Sequence, residues 1–561
     1  MTELRGVGIG QGVAQGPVVR MADALPAPEK TSSTAGTDAE RARAREAVAA
    51  VAAELMQRGE SAGGSAREVL EAQAMIAEDP TLQDEVDARI DDGGTAEWAV
   101  YDAFEGFKAT LEAVGGYLGE RAADLDDIAQ RVLAHLRGVA ASGVPDPGHP
   151  FVLIARDLAP ADTALLNLEQ VLALVTSDGG PTSHTAILAR EKGIVAVVGA
   201  ADAVSLEDGQ TVIVDAAAGT VTTDPSGEQL ERATARAAER AAAVDAPPSP
   251  GALADGTAIA LLANLGKPAD AADAVARGAE GVGLFRTEFL FLSSAQAPTI
   301  AEQRTGYTEL LEAFPGKKVV VRMLDAGADK PLAFLNDAHE ENPALGLRGL
   351  RSLRASEDIL REQLTALAEA DAATSADLWV MAPMVATVEE TKYFTSLARE
   401  YGIRTAGVMV EIPASALLAD RVLAHTDFAS IGTNDLTQYT MAADRMLGSV
   451  ANLQDPWHPA VLRLVGEVGV AGARTGKPVG VCGEAAADPL LAIVLVGLGA
   501  TSLSMAPAAL ADVRLALSER TLEEARSLAE IALAADDAAS ARTAAADAVA
   551  ALSPHQKEKK S

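Results

Sequence analysis

The sequence of 561 residues contains a single cysteine, Cys482, so no disulfide can form within the chain. This is typical of proteins from reducing compartments. Basic residues are scarce beside acidic ones, at 46 Lys and Arg against 80 Asp and Glu, which gives a net charge of −34. Such a charge repels nucleic acids and anionic membranes. We therefore expect neither as a partner, and a protein with a basic surface is favoured instead.

Aromatic residues make up 3% of the chain and hydrophobic residues 48%, so its cores must consist mainly of Ala, Val, Leu and Ile. Long apolar runs are also missing. The most apolar run, LLAIVLVGLGA at 490–500, is too short to span a bilayer. The opening residues MTELRGVGIGQGVAQ lack the basic and apolar regions of a signal peptide. These absences predict a cytoplasmic protein.

The length predicts several domains, since one domain usually takes about 150 residues. β-type sequence opens the chain, a helical pattern follows from about residue 37 to 137, and β-type runs return at 151–155, 171–176, 194–199 and 211–216. This order indicates an α/β domain, formed by residues 1–28 and 140–228, with a helical insertion at 29–139. A charged, Ala-rich segment at 229–250 ends in the Pro-rich stretch DAPPSP, and we interpret it as a linker helix.

Eight short apolar runs alternate with helical patterns over residues 251–561, which predicts a (β/α)8 barrel, so that the whole chain is a multidomain α/β protein. The runs are AIALLANL, GVGLF, KVVVRML, LWVMAPMV, AGVMVEIP, FASIGT, PVGVCG and TSLSMA. Ten polar side chains follow them closely, on the face where barrel enzymes hold their active sites. They are Asn264, Arg286, Glu288, Arg322, Asp325, Glu411, Asn434, Asp435, Cys482 and Glu484.

Two sets of charged residues stand out at this face. Arg286 and Arg322 follow neighbouring strands, with Lys330 and Arg348 in nearby loops. Because guanidinium groups bind phosphate and carboxylate in a bidentate manner, this set is interpreted as an anion clamp rather than as surface ion pairs. Glu411 and Asp435 end the fifth and sixth strands and supply the hard oxygen ligands that suit Mg²⁺. A metal ion beside an anion clamp indicates a phosphorylated small acid as substrate.

Cys482 lies between glycines at the end of the seventh strand. A lone cysteine is usually a small buried hydrophobic residue. At the catalytic face, however, a thiol can exchange a proton near neutral pH, and it could protonate a carbon such as that of an enolate.

The stretch GGPTSHTAILAR at 179–190 predicts a turn followed by a helix, with Thr182 or Ser183 as N-cap. His184 then lies in the first helical turn, where free backbone N–H groups favour phosphate. Imidazole is a good nucleophile in its neutral form, so His184 is a candidate phosphate acceptor. A histidine that merely caps a helix is the alternative.

The helical insertion is acidic, with 17 Asp and Glu against four Lys and Arg between residues 65 and 127. It has no cluster of catalytic type. Such a charge run is usually only a solvated face of the protein. The functional alternative is that a protein with a basic face docks on it.

Taken together, the motifs GGPTSHTAILAR, GLFRTEFLF, VVRMLDAGADKPL, ENPALGLRGLR, MVEIPASA, IGTNDLTQYTMAADR, DPWHPAV and GVCGEAA resemble the PEP-utilising enzymes. The resemblance extends to about residue 508 and is strongest to the Enzyme I group of the PEP-dependent sugar phosphotransferase system. It implies that PEP phosphorylates His184, with Thr182 beside it, and that the phosphate then passes to the phosphocarrier HPr, docked on the helical insertion. Homodimerisation through the barrel is implied as well.

The resemblance also implies a role for each residue of the barrel. Glu411 and Asp435 would hold Mg²⁺, and Cys482 would protonate the enolpyruvate carbon as pyruvate forms. The groups that would bind PEP are Arg286, Arg322, Lys330, Arg348, Asn434 and Arg445. In one departure, Leu447 stands near Arg445 where the family more often has a polar Asn, which predicts the loss of one polar contact. After about residue 522 the resemblance says little.

Three alternatives deserve comparison. PEP synthase and pyruvate phosphate dikinase need an ATP-grasp domain, for which we find no room before a phosphohistidine unit that starts at about residue 4. A Mg²⁺-dependent barrel lyase would leave His184 and the helical insertion without a role. A regulatory phosphorelay protein would not need the complete set of Arg, Glu, Asp and Cys residues, and pyruvate release in the presence of HPr would distinguish it.

Overall fold

A computed structural model describes residues 3–10, 12–22, 25–62, 64–114, 122–139, 144–145, 147–158, 162, 166–180, 183, 185–186, 189, 193–245, 247–292, 297–327, 332, 335, 340, 342–445 and 447–552. The chain divides into two compact units, Met1–Ala237 and Ala238–Ser561. The division falls inside a single helix, Gly227–Asp245, within the segment predicted as a linker. In the described part of the chain, no helix has both the length and the apolar character needed to cross a membrane.

A mixed eight-stranded sheet forms the centre of the first unit, with strand order β1-β8-β7-β3-β4-β5-β6-β2. Its inner strands β3 to β6 run parallel, and β1, β2, β7 and β8 pair antiparallel with their neighbours. Apolar side chains on both faces form two separate clusters. The strands are β1 (Glu3–Arg5), β2 (Val7–Ile9), β3 (Val13–Arg20), β4 (Phe151–Ala155), β5 (Val171–Thr176), β6 (Ala196–Val198), β7 (Thr211–Asp215) and β8 (Thr220–Thr223).

Among the described residues between β3 and β4, five helices form the insertion, and their Ala- and Leu-rich faces share a core of their own. The expected helical block, from about residue 37 to 137, matches the observed limits of these helices. They are α1 (Thr37–Ala62), α2 (Gly64–Ala77), α3 (Pro80–Asp91), α4 (Ala96–Val114) and α5 (Ala122–Arg137). The helix that ends the unit, Gly227–Asp245, is α6.

The second unit is a closed barrel of eight parallel strands, which confirms the predicted fold. Each of the eight apolar runs contains a strand. Outward-facing side chains pack on the surrounding helices, whereas inward-facing residues such as Val320 and Met409 form a small internal cluster. The strands are β9 (Ala260–Leu265), β10 (Val282–Arg286), β11 (Lys318–Arg322), β12 (Asp377–Ala382), β13 (Thr405–Val410), β14 (Ala429–Ile431), β15 (Val479–Val481) and β16 (Ser502–Met505).

Local signals in the sequence start many of the barrel helices. Thr387 and Glu390 form a capping box at the start of the helix Val388–Glu400, and Thr299 and Glu302 form another at the start of the helix Ile300–Glu312. The helices are α7 (Ala271–Ala276), α8 (Glu288–Leu292), α9 (Ile300–Glu312), α10 (Leu350–Ala355), α11 (Glu357–Ala373), α12 (Val388–Glu400), α13 (Pro413–Leu417), α14 (Ala419–Leu423), α15 (Thr433–Met441), α16 (Pro459–Thr475), α17 (Pro489–Gly497), α18 (Leu510–Ser518), α19 (Leu522–Leu533) and α20 (Ala538–Leu552).

Candidate active site at the mouth of the barrel

A continuous set of buried ion pairs lies at the carboxyl ends of the barrel strands. Arg322, the last residue of β11, forms ion pairs with Glu288 and with Asp325, the latter at 3.1 Å. Asp325 also pairs with Arg348 at 3.2 Å, and Arg348 reaches Asp435 at 2.8 Å. Because Asp325 contacts two guanidinium groups, it joins the predicted clamp residues Arg322 and Arg348 into one network.

Arg445 extends this network, since its Nη1 lies 3.6 Å from Oδ2 of Asp435. The hydroxyl of Tyr439 accepts a hydrogen bond from Arg348 at 3.4 Å and donates one to the carbonyl of Ala344 at 2.5 Å. Two arginines of the predicted clamp, Arg322 and Arg348, and also Arg445 are therefore held by the two carboxylates of Asp325 and Asp435.

Burial and the charges of this network shift the pKa values of Arg322 and Glu411. Burial disfavours the charged form of Arg322, yet the surrounding carboxylates, Glu288 first among them, raise its pKa above the usual value. For Glu411, burial raises the pKa to about 8, and the carboxylates of Asp435 and Asp325 act in the same direction. Arg322 and the backbone N–H of Met384, which donates to Glu411 at 2.8 Å, oppose this increase.

The backbone around Glu411 is unusually constrained. Met384 has a φ of 58°, a left-handed conformation that costs a residue with a side chain on the order of 1 kcal/mol. On the other side, a Cβ at Gly432 would lie 2.7 Å from Cγ and Oε1 of Glu411. The carboxylate is thus enclosed by backbone on two sides.

Asp435 lies further from its strand than the sequence suggested. Strand β14 ends at Ile431, and Asp435 belongs to the first turn of α15, which begins at Thr433. Because the helix starts two residues after the strand, the side chain of Asp435 still reaches the mouth of the barrel and its arginines.

The remaining predicted residues take separate places. Arg286 lies opposite Arg322 in the register of β10 and β11, and it forms no ion pair with any residue that the structure describes. Asn434 exchanges two hydrogen bonds with Glu484, at 3.3 and 3.0 Å. Lys330 falls outside the described residues, and Leu447 is 52% exposed.

Cys482 follows β15 directly and is buried inside the barrel. Its thiol donates a long hydrogen bond of 3.6 Å to the carbonyl of Ile431. Burial raises the pKa of this thiol to about 11, and the charge of Glu411 also raises it. Cys482 is therefore protonated at neutral pH, as a proton donor must be.

In the first unit, His184 and Thr182 lie outside the described residues, but part of their turn is visible. The hydroxyl of Ser183 accepts a hydrogen bond from the backbone N–H of Ala186 at 3.3 Å, which is the contact expected of an N-cap residue. Thr185 donates to Asp157 at 2.7 Å, which holds the turn against the end of β4. Gly179 has a φ of 85°, as the tight turn after β5 requires.

Comparison with known proteins shows which family the chain belongs to. Three family models of PEP-utilising enzymes match the chain: the N-terminal model at residues 5–121, the mobile domain at 147–219 and the PEP-binding domain at 240–522. A phosphoenolpyruvate-protein phosphotransferase from Streptomyces coelicolor is 55% identical over 547 residues, which cover 97% of this chain and 98% of the relative. The chain belongs to the PEP-utilising enzymes.

Two further relatives of this PEP-utilising enzyme carry the same name, phosphoenolpyruvate-protein phosphotransferase. The protein from Haloferax volcanii is 44% identical over 494 residues, with coverage of 85% of this chain and 86% of the relative. The protein from Bacillus subtilis is 38% identical over 556 residues, with coverage of 94% and 96%. The resemblance deduced from the motifs is thereby confirmed.

The carboxylates of this PEP-utilising enzyme fit a divalent cation. Glu411 and Asp435 repel each other, and the raised pKa of Glu411 shows that its negative charge lacks full compensation. A cation such as Mg²⁺ would supply that compensation. The described residues contain no group of three or more His, Cys, Asp or Glu side chains arranged to hold a metal, so Glu411 and Asp435 would need further oxygen ligands.

Sequence reasoning gave no role to Glu288, Asp325, Tyr439 and Glu484, although they orient the predicted residues. Three of them appeared among the polar strand-end residues, and Tyr439 stands in the motif GTNDLTQYT. Their pairing with a particular arginine or amide depends on which strand ends meet in the barrel.

Proposed function

We propose that this enzyme transfers the phosphoryl group of PEP to His184, releases pyruvate, and then passes the phosphoryl group to HPr, as the first step of the sugar phosphotransferase system. One observation carries the proposal: a buried set of arginines lies beside two carboxylates whose repulsion favours a cation. The names of the relatives agree with a protein as the final acceptor.

In this proposal, the arginines bind the phosphate and carboxylate groups of PEP. Nε of Arg322 is buried without a hydrogen-bond partner among the described residues, so it is available to a substrate oxygen. Arg286, which also lacks an ion pair there, would serve in the same way, together with Arg348, Arg445, Asn434 and Lys330. Asp325 and Glu288 hold the guanidinium planes in place before substrate arrives, which lowers the entropic cost of binding.

Glu411 and Asp435 would hold Mg²⁺, which would neutralise part of the negative charge on the phosphoryl group. Attack by the His184 imidazole on phosphorus breaks the bond to the enolate oxygen, and His184 keeps the phosphoryl group. Cys482 then gives its thiol proton to the methylene carbon of enolpyruvate, which becomes the methyl group of pyruvate. A neutral thiol suits this role because only its protonated form can donate.

The domains would divide this work, as the sequence predicted. Residues 1–28 and 140–228 would carry the phosphohistidine, 29–139 would dock HPr, 229–250 would link the parts, and 251–561 would bind PEP. The acidic surface of the insertion favours a basic partner. A cytoplasmic location follows from the same proposal, since HPr and PEP are cytoplasmic.

The central test uses radiolabelled PEP with Mg²⁺ and compares the wild type with His184→Ala. We expect acid-labile labelling of the wild type and of the control His149→Ala, a variant of an exposed histidine, but none of His184→Ala. Cys482→Ala should slow pyruvate formation by roughly 100-fold or more, while prephosphorylated enzyme still transfers to HPr. Equal labelling of all variants would refute the assignment of His184, and equal loss of both half-reactions would refute that of Cys482.

We also propose that the enzyme forms a homodimer through its barrel unit. Leu345 and Leu417 are 68% and 65% exposed, and the segments that carry them both contact α15. Leu345→Glu combined with Leu417→Glu should shift the equilibrium toward monomer in sedimentation experiments, whereas Leu515→Glu, a change on α18, should not. An unchanged dimer in the double variant would contradict this interface.

A further inference from the structure

A column of small polar side chains runs through the interior of the barrel below Cys482. Ser430, Gly480 and Ser502 lie in register on the neighbouring strands β14, β15 and β16. A Cβ on Gly480 would lie 2.8 Å from Oγ of Ser502 and 3.8 Å from Oγ of Ser430. The absent side chain of Gly480 therefore leaves a space that both hydroxyl groups border.

This space belongs to a narrow cavity that continues toward the amino-terminal ends of the strands. Its polar lining consists of Lys318, Ser430, Ser502 and Ser504, and its volume is about 10 Å³. Such a volume is close to the least that holds one water molecule, and hydroxyl and ammonium groups are suitable partners for it. The cavity can thus hold a single bridging water.

At its upper end the column reaches the thiol. Cys482 is the next inward-facing position after Gly480 on the same chain segment, and the side chain of Ser430 lies near enough to its thiol to lower the pKa of that thiol, against the effect of burial. Asn264 fixes the backbone at this point, since its Nδ2 donates to the carbonyl of Cys482 at 3.0 Å. Ser504 in turn donates to Oδ1 of Asn264 at 2.5 Å.

At its lower end lies Lys318, the first residue of β11, with its Nζ 4.2 Å from the ring centroid of Trp379. Asp377 on β12 is the charged group beside it, and the other strands that line the cavity present serine, glycine and apolar residues. Burial lowers the pKa of Lys318 to about 8, although Asp377 opposes this effect. Its ammonium group therefore releases a proton more readily than an exposed lysine does.

The proposed reaction leaves Cys482 as a thiolate, and this thiolate must regain a proton before the next turnover. The sulfur is buried among Leu284, Met381 and Met409, side chains that cannot supply one. We propose that Lys318 returns a proton to Cys482 through one cavity water and the hydroxyl of Ser430. This inference rests on the proposed function.

The proton balance closes in four transfers. Ser430 gives its hydroxyl proton to the thiolate and takes one from the water, and the water takes one from the ammonium group of Lys318. The resulting neutral amine recovers a proton from solvent at the amino-terminal mouth of the barrel. Lys318 and Ser430 are therefore proton-relay residues that never touch the substrate.

The test separates the first turnover from later ones in rapid-mixing measurements of pyruvate release, with PEP, Mg²⁺ and excess HPr. In Lys318→Met the first turnover should keep the wild-type rate, because Cys482 starts protonated, while the steady-state rate should fall about tenfold or more. Ser430→Ala should show the same separation. Lys317→Met, a variant of the exposed neighbouring lysine, is the matched control and should match the wild type in both phases.

Lys318→Arg distinguishes a relay from a structural role, because arginine keeps the cation beside Trp379 but does not release its proton. A relay predicts a slow steady state in this variant, whereas recovery of the wild-type rate would overturn the proposal. Wild-type steady-state rates in both Lys318→Met and Ser430→Ala would overturn it too, as would an equal fall of both phases. If the wild type itself released no pyruvate, the proposed function would fail and the relay with it.

Discussion

Two carboxylates share one guanidinium in the interior of the first unit. Nε of Arg131 lies 3.0 Å from Asp127, and its Nη2 lies 3.2 Å from Asp162. Burial raises the pKa of Asp162 to about 6, and the charge of Asp127 adds to this, whereas Arg131 and Arg58 act against it. The attraction of the arginines therefore does not fully offset the cost of burying a second negative charge.

This cluster predicts a specific pH dependence of stability. The carboxyl of Asp162 titrates near 3.8 in the unfolded chain and near 6 in the folded one, so the folded state binds more protons between these values. Stability of the first unit should therefore increase as the pH falls from about 6 to 4, by about 3 kcal/mol at most. Urea unfolding at several pH values should show that Asp162→Asn lacks this increase.

Asp84→Asn, which removes an exposed carboxylate from the helical insertion of the first unit, is the control for that experiment. It should retain the pH dependence of the wild type. Parallel curves for Asp162→Asn and the wild type would show that the carboxyl of Asp162 does not titrate in this range.

At the scale of elements, the end of β13 lies close to the junction between β14 and α15. This close approach positions Glu411, the proposed metal ligand. Gly432 separates strand from helix, with a φ of −90° that alanine can adopt. Its lack of a side chain makes room for Glu411, which ends up against the backbone. The glycine is therefore required by packing and not by its conformation.

Gly432→Ala should displace the carboxylate of Glu411 and raise the Mg²⁺ concentration for half-maximal labelling by PEP about tenfold or more. Gly466→Ala is the matched control, because a Cβ there meets Leu498 at an ordinary 3.4 Å. It should leave the Mg²⁺ dependence unchanged and should not destabilise the enzyme, because alanine favours the helix α16. A Gly432→Ala enzyme with the Mg²⁺ dependence of the wild type would contradict this role of the glycine.

At the scale of the whole molecule, the two units have separate cores. The helical insertion packs around residues such as Leu55, and the barrel packs around residues such as Leu367. Cores that share few side chains unfold as separate cooperative units. Calorimetry of the full chain should accordingly resolve at least two transitions.

Leu55→Ala and Leu367→Ala each remove a fully buried leucine from a helix, at a cost of about 2–5 kcal/mol. Each variant should lower the temperature of one transition, and the two should affect different ones. A single transition that both variants lower alike would show that the chain unfolds as one unit.

The sequence by itself determined the secondary-structure elements and the set of reactive side chains at the strand ends. Periodic apolar runs identified all eight barrel strands, because an alternating or continuous apolar pattern reflects burial within a short segment. Polar residues directly after those strands identified Arg322, Glu411 and Cys482 as candidates, because parallel strands of a barrel end on one face. The motifs that led to the family likewise lie within short segments.

Only the tertiary structure decided which of these groups act on one another. The pairing of Asp325 with Arg348, the crowding of Gly432 against Glu411 and the cavity that Lys318 and Ser430 line together join residues far apart in the chain. Distances of a few ångströms between side chains depend on strand register and barrel closure, which local patterns do not encode. Burial, and with it the pKa of Glu411 and Cys482, likewise arises only when the barrel closes around them.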